Sequence, residues 1–319
     1  LEARLNNFEA GGFSDTTSAS FSATALLGSI DGDTTSEAIQ FEYQYNIGLT
    51  TSFTGEDSLD VAIDSGSDVA STTDNPMALD TGAALSVDGV TYSFPLGGVS
   101  MIVGNDTDLS AAFTGACSYS AFTDYMGDCG TGNSIGVGGS GVTATVGYAF
   151  DSGFSLAGGI SGEATTVASG STVSNGLFTK EGSDIYGIEA AYTADSYGVA
   201  VAYVSNDGGT GAETTYWGVN ATYSFDMFDV SVGYETEEKT VTETGYFVGL
   251  TFPEVGPGSV SIGAGTSDNF ADTADELMVY EASYSYPVND SMTITPGVFI
   301  EEKSGDDLTG VLVKTSFSF

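Results

Sequence analysis

The sequence predicts an all-β fold, a transmembrane antiparallel β-barrel of about 16 strands with a constriction loop. Bulky apolar residues alternate with small or polar ones along most of the chain. The composition also fits strands and turns, because 44 Gly, 17 Tyr and 19 Phe stand beside only 6 Pro and 1 Trp. No segment approaches the roughly 18 uninterrupted apolar residues that a membrane-spanning helix needs. Any membrane crossing is therefore expected to be made by strands.

The alternation is clearest in one central segment and at the end of the chain. Successive side chains of a strand point to opposite faces, so every second residue shares a face. In the central segment the other face carries small polar residues that suit water rather than a packed core, which predicts a wet interior. The residues expected to face lipid are Trp217, Val219, Ala221, Tyr223 and Phe225, and in the last strand Val311, Val313, Phe317 and Phe319.

Sixteen candidate strands follow from this alternation and from the Gly, Asp, Asn and Ser clusters that bound them. Tight turns are expected at 54–57, 96–97, 151–152, 195, 226 and 287–290, each followed by a longer connection. Outer-membrane barrels have short periplasmic turns and long outer loops, so an even strand number leaves both chain ends on the periplasmic side. The candidate strands are 16–28, 36–52, 58–66, 88–95, 98–104, 138–150, 153–166, 183–193, 196–206, 213–225, 227–236, 243–253, 257–266, 275–286, 291–301 and 308–319.

Residues 1–12 are interpreted as the end of a periplasmic helical or coiled-coil spacer, and residues 13–319 as the barrel. Leu1, Leu5 and Phe8 are spaced at i, i+4 and i+7, which suits a helix. A frayed terminal helix explains the same spacing, since so short a stretch cannot carry a heptad register. The charged first residues lack the apolar core of a signal peptide, and we expect the ordered chain to begin within a longer protein.

The chain is strongly acidic, with 44 acidic residues, five basic residues and a formal net charge of −39. This charge argues against nucleic acid as a partner, because phosphate backbones are bound by Lys and Arg. A solvated surface in a salty habitat would explain the acidity, and a negative pore would explain it as well.

Strand parity places six acids and one cation on the predicted inner wall. A water-filled tube lined by one sign of charge concentrates counter-ions, so we expect a preference for cations. The alternative is that the acids only keep the tube wet. The predicted pore-lining residues are Glu42, Asp60, Asp64, Glu189, Asp229, Glu281 and Lys314.

The longest stretch without strand signals, about residues 105–137, follows the fifth strand and is interpreted as a constriction loop in the lumen. It contains both cysteines of the chain, Cys117 and Cys129. An extracytoplasmic compartment permits a disulfide, and two cysteines allow a single intramolecular pair, which would hold the loop rigid. The acidic and aromatic residues expected at the narrowest point are Asp106, Asp108, Phe122, Asp124, Tyr125 and Asp128.

No cofactor or metal centre is predicted, and Ca²⁺ at acidic loops is kept as an alternative. This loop, Asp306–Asp307 and Asp268–Glu276 offer oxygen ligands, but none matches the regular twelve-residue calcium loop. The chain has no histidine, so it lacks a Ser-His-Asp or Cys-His nucleophile pair and imidazole-bound zinc. Carboxylate pairs are too abundant to indicate glycoside chemistry. We therefore predict that the chain is not an enzyme, with an acid-based outer-membrane hydrolase as the alternative.

Two short motifs resemble a known family: LEARLNNFEAGGFS at Leu1–Ser14 and LTTSFTGED at Leu49–Asp57. They are similar to cyanobacterial outer-membrane porins, which are related to the carbohydrate-selective porins. The resemblance implies a trimeric barrel in the cell outer membrane, with an upstream surface-layer-homology domain that holds peptidoglycan-linked polysaccharide. It also implies that the loop after the fifth strand narrows the lumen. This chain departs from general porins in having almost no basic residues to set across the constriction from the acidic ones.

Together these observations predict a water-filled, acidic, cation-preferring channel for passive diffusion of inorganic ions and small hydrophilic solutes. Outer-membrane lipid and two further copies of the chain are the expected partners. The alternative is a structural anchor, in which the barrel tethers the outer membrane to the cell wall through an upstream domain and conduction is incidental.

Overall fold

The computed structural model describes residues 16–32, 37–67, 76–77, 79, 82–124, 141–163, 176–178, 182–209, 211–240, 242–266 and 277–319. Within these residues the chain forms sixteen strands and one short 3₁₀ turn, Leu109–Ala112. The strands are β1 (Thr17–Asp31), β2 (Gln40–Thr51), β3 (Ser58–Gly66), β4 (Ser86–Leu96), β5 (Val99–Asn105), β6 (Val142–Ala149), β7 (Phe154–Glu163), β8 (Ser183–Thr193), β9 (Tyr197–Asn206), β10 (Thr214–Ser224), β11 (Asp229–Glu238), β12 (Thr242–Val255), β13 (Gly258–Thr266), β14 (Met278–Asn289), β15 (Met292–Glu301) and β16 (Leu308–Ser318).

The sixteen strands close into one antiparallel barrel. Each strand pairs with its neighbours in sequence, and β1 pairs with β16 to complete the circle. At this seam the Phe21 N–H donates to the Phe319 carbonyl at 3.2 Å, and the Phe319 N–H donates back to the Phe21 carbonyl at 2.8 Å. Closure leaves no strand edge open, as a membrane-spanning sheet requires. The predicted fold class is confirmed.

Short and longer connections alternate around most of the barrel, as predicted. One difference is that β11 ends at Glu238 and β12 begins at Thr242, so a short connection stands where a longer one was expected. A second difference concerns the turn expected at 287–290. Strand β14 continues through Pro287 to Asn289, and the turn occupies residues 290–291. Pro287 pairs with Thr293, and the register shifts between Pro287 and Asn289. A proline cannot donate a ladder hydrogen bond and is tolerated at such an irregularity, so it does not end the strand.

Most strand bounds differ from the prediction by a few residues. The largest differences are at β2, which begins at Gln40 rather than at 36, and at β6, which begins at Val142 rather than at 138. The predicted spacer, residues 1–12, lies outside the described residues, and so do residues 13–15.

The turn between β2 and β3 is organised around the carboxylate of Asp57, the last residue of the second resemblance motif. Its Oδ1 accepts hydrogen bonds from the backbone N–H groups of Phe53 at 2.9 Å and Thr54 at 2.8 Å, and from the Ser52 hydroxyl at 2.8 Å. The Tyr92 hydroxyl on β4 donates to its Oδ2 at 2.7 Å. The bond from the Thr54 N–H, together with those from Tyr92 and the turn hydroxyls, lowers the pKa of Asp57 well below its ordinary value.

The two faces of the barrel wall differ as the alternation predicts. Trp217, Val219 and Tyr223 of β10 are exposed on the outside, whereas Asn220 between them is buried. A band of aromatic contacts also follows the end of the barrel that carries the short turns. It includes Tyr148–Phe150, Phe154–Tyr192–Tyr197 and Tyr223–Phe225–Phe228–Phe252. Such a girdle marks the level of a membrane interface.

Among the described residues, no helix has the length and apolar character needed to span a membrane. The buried apolar clusters lie between the inner wall and two connections that enter the barrel.

Candidate functional site

The connection after β5, residues 106–124 and named the inner loop, lies inside the barrel. Its 3₁₀ turn packs against β5 to β8, and the Ser118 hydroxyl bonds to Thr222 of β10 at 2.7 Å and Ser231 of β11 at 3.0 Å. Phe122 then packs on Gly297 of β15. Because these wall residues have the inward parity, the inner loop follows the inside of the wall from β5 to β15. The loop predicted to narrow the lumen therefore does enter it.

Glu281 of β14 holds the far end of the inner loop. Its Oε1 accepts hydrogen bonds from the Tyr119 hydroxyl at 2.6 Å and the Phe122 N–H at 2.6 Å. Its Oε2 accepts from the N–H of Thr123 at 2.9 Å and from the hydroxyl of the same residue at 2.7 Å. An ionised carboxylate has about four acceptor sites, and these donors match that number. Burial and the neighbouring Glu281 charge raise the pKa of Tyr119, which keeps its hydroxyl a donor.

Glu189 of β8 holds the middle of the inner loop in the same way. Its carboxylate accepts the Thr114 N–H at 2.5 Å and the Gly115 N–H at 3.1 Å. Gly115 has a φ of +63°, a left-handed conformation that glycine adopts without strain. This turn directs two successive N–H groups at one carboxylate, an arrangement that suits an anion. Glu189 and Glu281 are only 4% and 3% exposed, so their charges are engaged by the loop.

Glycines on the inner wall provide the space that the apolar side chains of the inner loop occupy. A Cβ at Gly297 would collide with the Phe122 ring, and a Cβ at Gly249 would collide with Tyr119. Leu109 is fully buried and packs against Gly187, where an added Cβ would meet its side chain at 2.8 Å. Overpacking such contacts costs about 1–3 kcal/mol. The inner loop is therefore held in place by close packing against the wall as well as by hydrogen bonds.

A second connection, between β3 and β4, also enters the barrel. Pro76 and Leu79 are buried, and Leu79 belongs to an apolar cluster with inward residues of β1, β15 and β16. The Asp124 N–H donates to the Pro76 carbonyl at 2.6 Å, so this connection meets the end of the inner loop. The sequence analysis did not predict this arrangement. Its signal is the apolar pair Met77 and Leu79 within a long polar connection, which has no obvious use on an exposed loop.

The two connections border a lumenal cavity of about 550 Å³ near the middle of the barrel wall. The wall side of this lumenal cavity carries hydroxyls, amides and one ammonium group. The other side is formed by the end of the inner loop and by Met77 and Leu79. Such a lining keeps water in the cavity and can pass hydrated solutes. The wall residues are Thr24, Gln44, Asn46, Lys314 and Ser316, and the inner loop contributes residues 119–124.

All seven wall residues singled out by the sequence have inward parity, but they have different surroundings. Glu42 is buried and lies in a small pocket with Pro76 of the β3–β4 connection. Asp60 accepts hydrogen bonds from the Thr50 and Ser58 hydroxyls, each at 2.6 Å, and Asp64 accepts one from Ser86 at 3.2 Å. Asp229 is half-buried at the first residue of β11. Three of the six acids, Glu42, Glu189 and Glu281, therefore lie against the entering connections.

Lys314 is the one lysine or arginine within the sixteen described strands. It lies on β16 beside the lumenal cavity, with its Nζ 5.7 Å from the centroid of the Phe122 ring. This distance permits a cation–π contact, and Glu281 is a nearby negative group. The cavity thus carries a positive charge on its wall and Asp124 on its loop side.

The four predicted constriction residues that the structure describes have different surroundings. Phe122 is 2% exposed and belongs to the wall cluster, whereas Asp124 is exposed and borders the cavity. Asp106 is exposed just after β5, and Asp108 precedes the 3₁₀ turn. Cys117 lies in the inner loop beside Tyr119 and Phe247. Tyr125, Asp128 and Cys129 lie outside the described residues, so the Cys117–Cys129 disulfide stays a prediction.

Three further buried acids have inward parity and were missed. Glu235, Glu237 and Glu301 lie near the C-terminal ends of β11 and β15. Lys239 contacts Glu237 at 2.6 Å, and Lys303 contacts Glu301 at 2.8 Å. The same parity rule that placed Asp229 would have placed Glu235 and Glu237. These ion pairs neutralise part of the negative charge of the wall.

In the part of the chain that the structure describes, no three potential metal ligands come together. Asp306 and Asp307 lie in the described β15–β16 connection, where Asp307 accepts a hydrogen bond from the Lys303 N–H at 3.4 Å. The acidic stretch Asp268–Glu276 lies outside the described residues.

Solved structures with the same fold are bacterial outer-membrane barrels. A high-pH structure of Pseudomonas putida OprB superposes with a TM-score of 0.73 at 12% identity, covering 95% of this chain and 94% of that chain. A loop-deletion mutant of OmpT, an outer membrane protein of Vibrio cholerae, gives 0.67 at 12% identity, covering 95% and 99%. A triple mutant of the Rhodopseudomonas blastica porin gives 0.64 at 16% identity, covering 95% and 100%. At these identities the likeness concerns the fold.

Sequence similarity to a protein family extends the assignment beyond the fold. A search of curated protein sequences finds no match to this chain. The model of the Gram-negative porin family matches residues 81–307, which is well over half of the chain. Porins are channels of the outer membrane that typically form trimers and are not enzymes. The wall, the entering loop and this match lead to one conclusion: the chain belongs to the Gram-negative porin family and is an outer-membrane channel protein.

Proposed function

We propose that this chain forms a water-filled channel for passive diffusion of inorganic ions and small hydrophilic solutes, and that the channel prefers cations. The observation that supports a diffusion channel is the lumenal cavity, whose wall side is lined by hydroxyl, amide and ammonium groups inside a closed barrel. Such groups replace part of the water around a passing solute without binding it tightly.

The preference for cations is supported by the charges that point into the lumen. Asp60, Asp64 and Asp229 face inward on the described strands, and Lys314 is the one inward cation there. The Glu189 and Glu281 carboxylates accept hydrogen bonds from the inner loop, but their negative charge stays within the barrel. In a narrow water-filled tube the summed potential of such charges raises the local concentration of counter-ions.

The experiment is the zero-current potential of single channels in a planar lipid bilayer with unequal KCl on the two sides. We expect a potential with the sign for potassium permeation, which declines at high salt because ions screen charges that lie in water. Channels without any such potential would overturn the cation preference and leave a general pore. A protein that inserts but never conducts would overturn the diffusion channel and favour the structural anchor.

The resemblance to cyanobacterial porins also predicts how many copies of the chain associate and what the chain binds in the cell wall. We propose a homotrimer, with an upstream surface-layer-homology domain that holds peptidoglycan-linked polysaccharide, as in the cyanobacterial porins that the two motifs resemble. Mild cross-linking of the detergent-solubilised protein should yield a trimer band. Binding to purified cell-wall polysaccharide by the full-length protein, but not by residues 13–319 alone, tests the upstream domain.

A further inference from the structure

The β3–β4 connection is fastened inside the barrel at several points. Leu79 is 8% exposed and packs in one cluster with Leu26, Phe299 and Leu312, which are inward residues of β1, β15 and β16. Further along, the Gly82 carbonyl accepts the Gly66 N–H at 2.8 Å, which ties the connection to the end of β3. These contacts hold the connection against the wall.

The same connection is joined to the inner loop. The Asp124 N–H donates to the Pro76 carbonyl at 2.6 Å, and Phe122 belongs to the same apolar cluster as Leu79. Pro76 is almost fully buried at this junction. Two separate connections thus meet at one place in the lumen, on the side where β1, β2 and β16 form the wall.

Met77 borders the lumenal cavity as Leu79 does, but it is half-buried whereas Pro76 and Leu79 are buried. It also packs against the apolar cluster that contains Leu79. Across this cavity the wall offers Gln44, Asn46 and Lys314. A thioether is flexible and apolar, so it takes up part of the cross-section and offers no hydrogen bond to a hydrated ion. Pro76 and Leu79 anchor the connection, and Met77 is the side chain that they present to the cavity.

We propose that Pro76, Met77 and Leu79 of the β3–β4 connection form a second wall of the constriction and that Met77 sets the width of the lumenal cavity. This proposal rests on the proposed function, because it needs a conducting pore. It assigns to Met77 a specificity-determining role for small hydrophilic solutes. The end of the inner loop and Met77 together close the cavity on the side opposite the wall of β1, β2 and β16.

The first test compares Met77→Ala with Met101→Ala in single-channel recordings. Met101 lies on the outward face of β5, so the control removes the same atoms away from the lumen. Shortening Met77 widens the narrow section, and we expect a conductance at least about 1.2 times that of the wild-type channel. We also expect faster entry of a neutral sugar in liposome swelling. Met101→Ala should match the wild type in both measurements.

A second measurement covers the case in which Met77→Ala disturbs the connection. Met77→Cys and Met101→Cys channels are recorded before and after a bulky methanethiosulfonate reagent is added, with the wild type as reagent control. We expect the reagent to reduce the current through open Met77→Cys channels by at least about half, and to leave the other two unchanged. A channel that conducts before labelling is folded, so the result reports position.

The two proposals fail in different ways. If the wild-type protein forms no channels, the diffusion pore is overturned and the role of Met77 falls with it. If the wild type conducts but Met77→Ala behaves like Met101→Ala, or Met77→Cys channels ignore the reagent, the second wall is overturned while the diffusion pore stands.

Discussion

Glu281 and Asp60 both lie on the inward face of the barrel wall but have different roles. Both point inward, but Glu281 accepts two backbone N–H groups and two hydroxyls from the inner loop. Asp60 instead accepts one hydroxyl from Thr50 of β2 and one from Ser58 of its own strand. Hydroxyls can rotate to suit another acceptor, but a backbone N–H cannot. Loss of the charge should therefore disturb structure at Glu281 and mainly the electric field at Asp60.

We predict that Glu281→Gln loosens the inner loop. The amide NH₂ cannot accept the N–H of Phe122 or Thr123, and hydrogen bonds to a charged acceptor contribute about 1.5–3 kcal/mol each. Single channels should therefore show frequent current fluctuations and closures. Asp60→Asn is the matched control, which should shift the zero-current potential toward zero while the current stays quiet. A quiet Glu281→Gln channel would refute the anchoring role.

Parity in the sequence was sufficient to place these acids inside the barrel, but it could not assign their roles. The partners of Glu281 lie about 160 residues away along the chain, and no local pattern reports a contact of that separation. The same limit applies to Phe122, which is aromatic and lies in the inner loop as expected, but whose ring is almost fully buried against Gly297.

At the scale of single elements, the β2–β3 turn is the best-defined connection in the described chain. Its motif was singled out for its resemblance to a family and for a tight turn at 54–57, and the structure gives the motif a physical role. Asp57 gathers donors from its own turn and from Tyr92 of β4, so it links three consecutive strands. The sequence favoured a tight turn here because Gly55 follows a strand pattern, and Gly55 indeed has a φ of +87°.

We predict that Asp57→Asn lowers the thermal stability of the barrel at neutral pH. Hydrogen bonds hold the folded pKa of Asp57 below the unfolded value of about 3.9. The stabilisation is therefore complete above pH of about 4 and is lost as the pH falls through the folded pKa. Thermal unfolding in detergent, followed by circular dichroism, should show a gap between wild type and variant that narrows in acid.

Glu56→Gln serves as the control for this turn, because Glu56 is the exposed neighbouring acid. Its melting temperature should follow the wild type at every pH. A gap between wild type and Asp57→Asn that stays constant down to acid pH would show that the ionised carboxylate is not the source of the stability.

The course of the β3–β4 connection into the lumen could not be predicted from the sequence. Alternation defines strands because each side chain has a fixed face, but a connection has no such period. The chain from 105 onward was predicted to enter the lumen from its length, whereas the connection that carries Met77 and Leu79 was not distinguished from the other outer loops. Its inward course depends on a cluster assembled from β1, β15 and β16, and only the closed barrel brings these strands together.

At the scale of the whole molecule, closure depends on one seam between the first and last strands. Ten residues of β1 pair with β16, from Ser22↔Ser318 to Asp31↔Thr309. The Phe319 backbone extends this ladder by exchanging two hydrogen bonds with Phe21. The alternation up to Phe319 was enough to predict a barrel, because a closed sheet is the one strand arrangement that satisfies its backbone in lipid.

We predict that deletion of Phe319 reduces the yield of closed barrels when the protein is refolded into detergent. The variant lacks the two terminal backbone hydrogen bonds, whereas Phe319→Ala keeps them and loses only the side chain. Gel mobility of unheated samples separates closed from open protein. The deletion should lower the closed fraction at least about twofold relative to Phe319→Ala. Equal fractions would show that the seam closes without this residue.

The entry of two connections into the lumen has a consequence for engineering. The residues that set the opening are Pro76, Met77, Leu79 and those at 106–124, and they lie on two segments outside the sixteen strands. The constriction of this channel and its barrel wall are therefore built by separate segments. Both segments could be exchanged together while the sixteen strands are kept unchanged. This would yield nanopores of different width in the same membrane-spanning barrel.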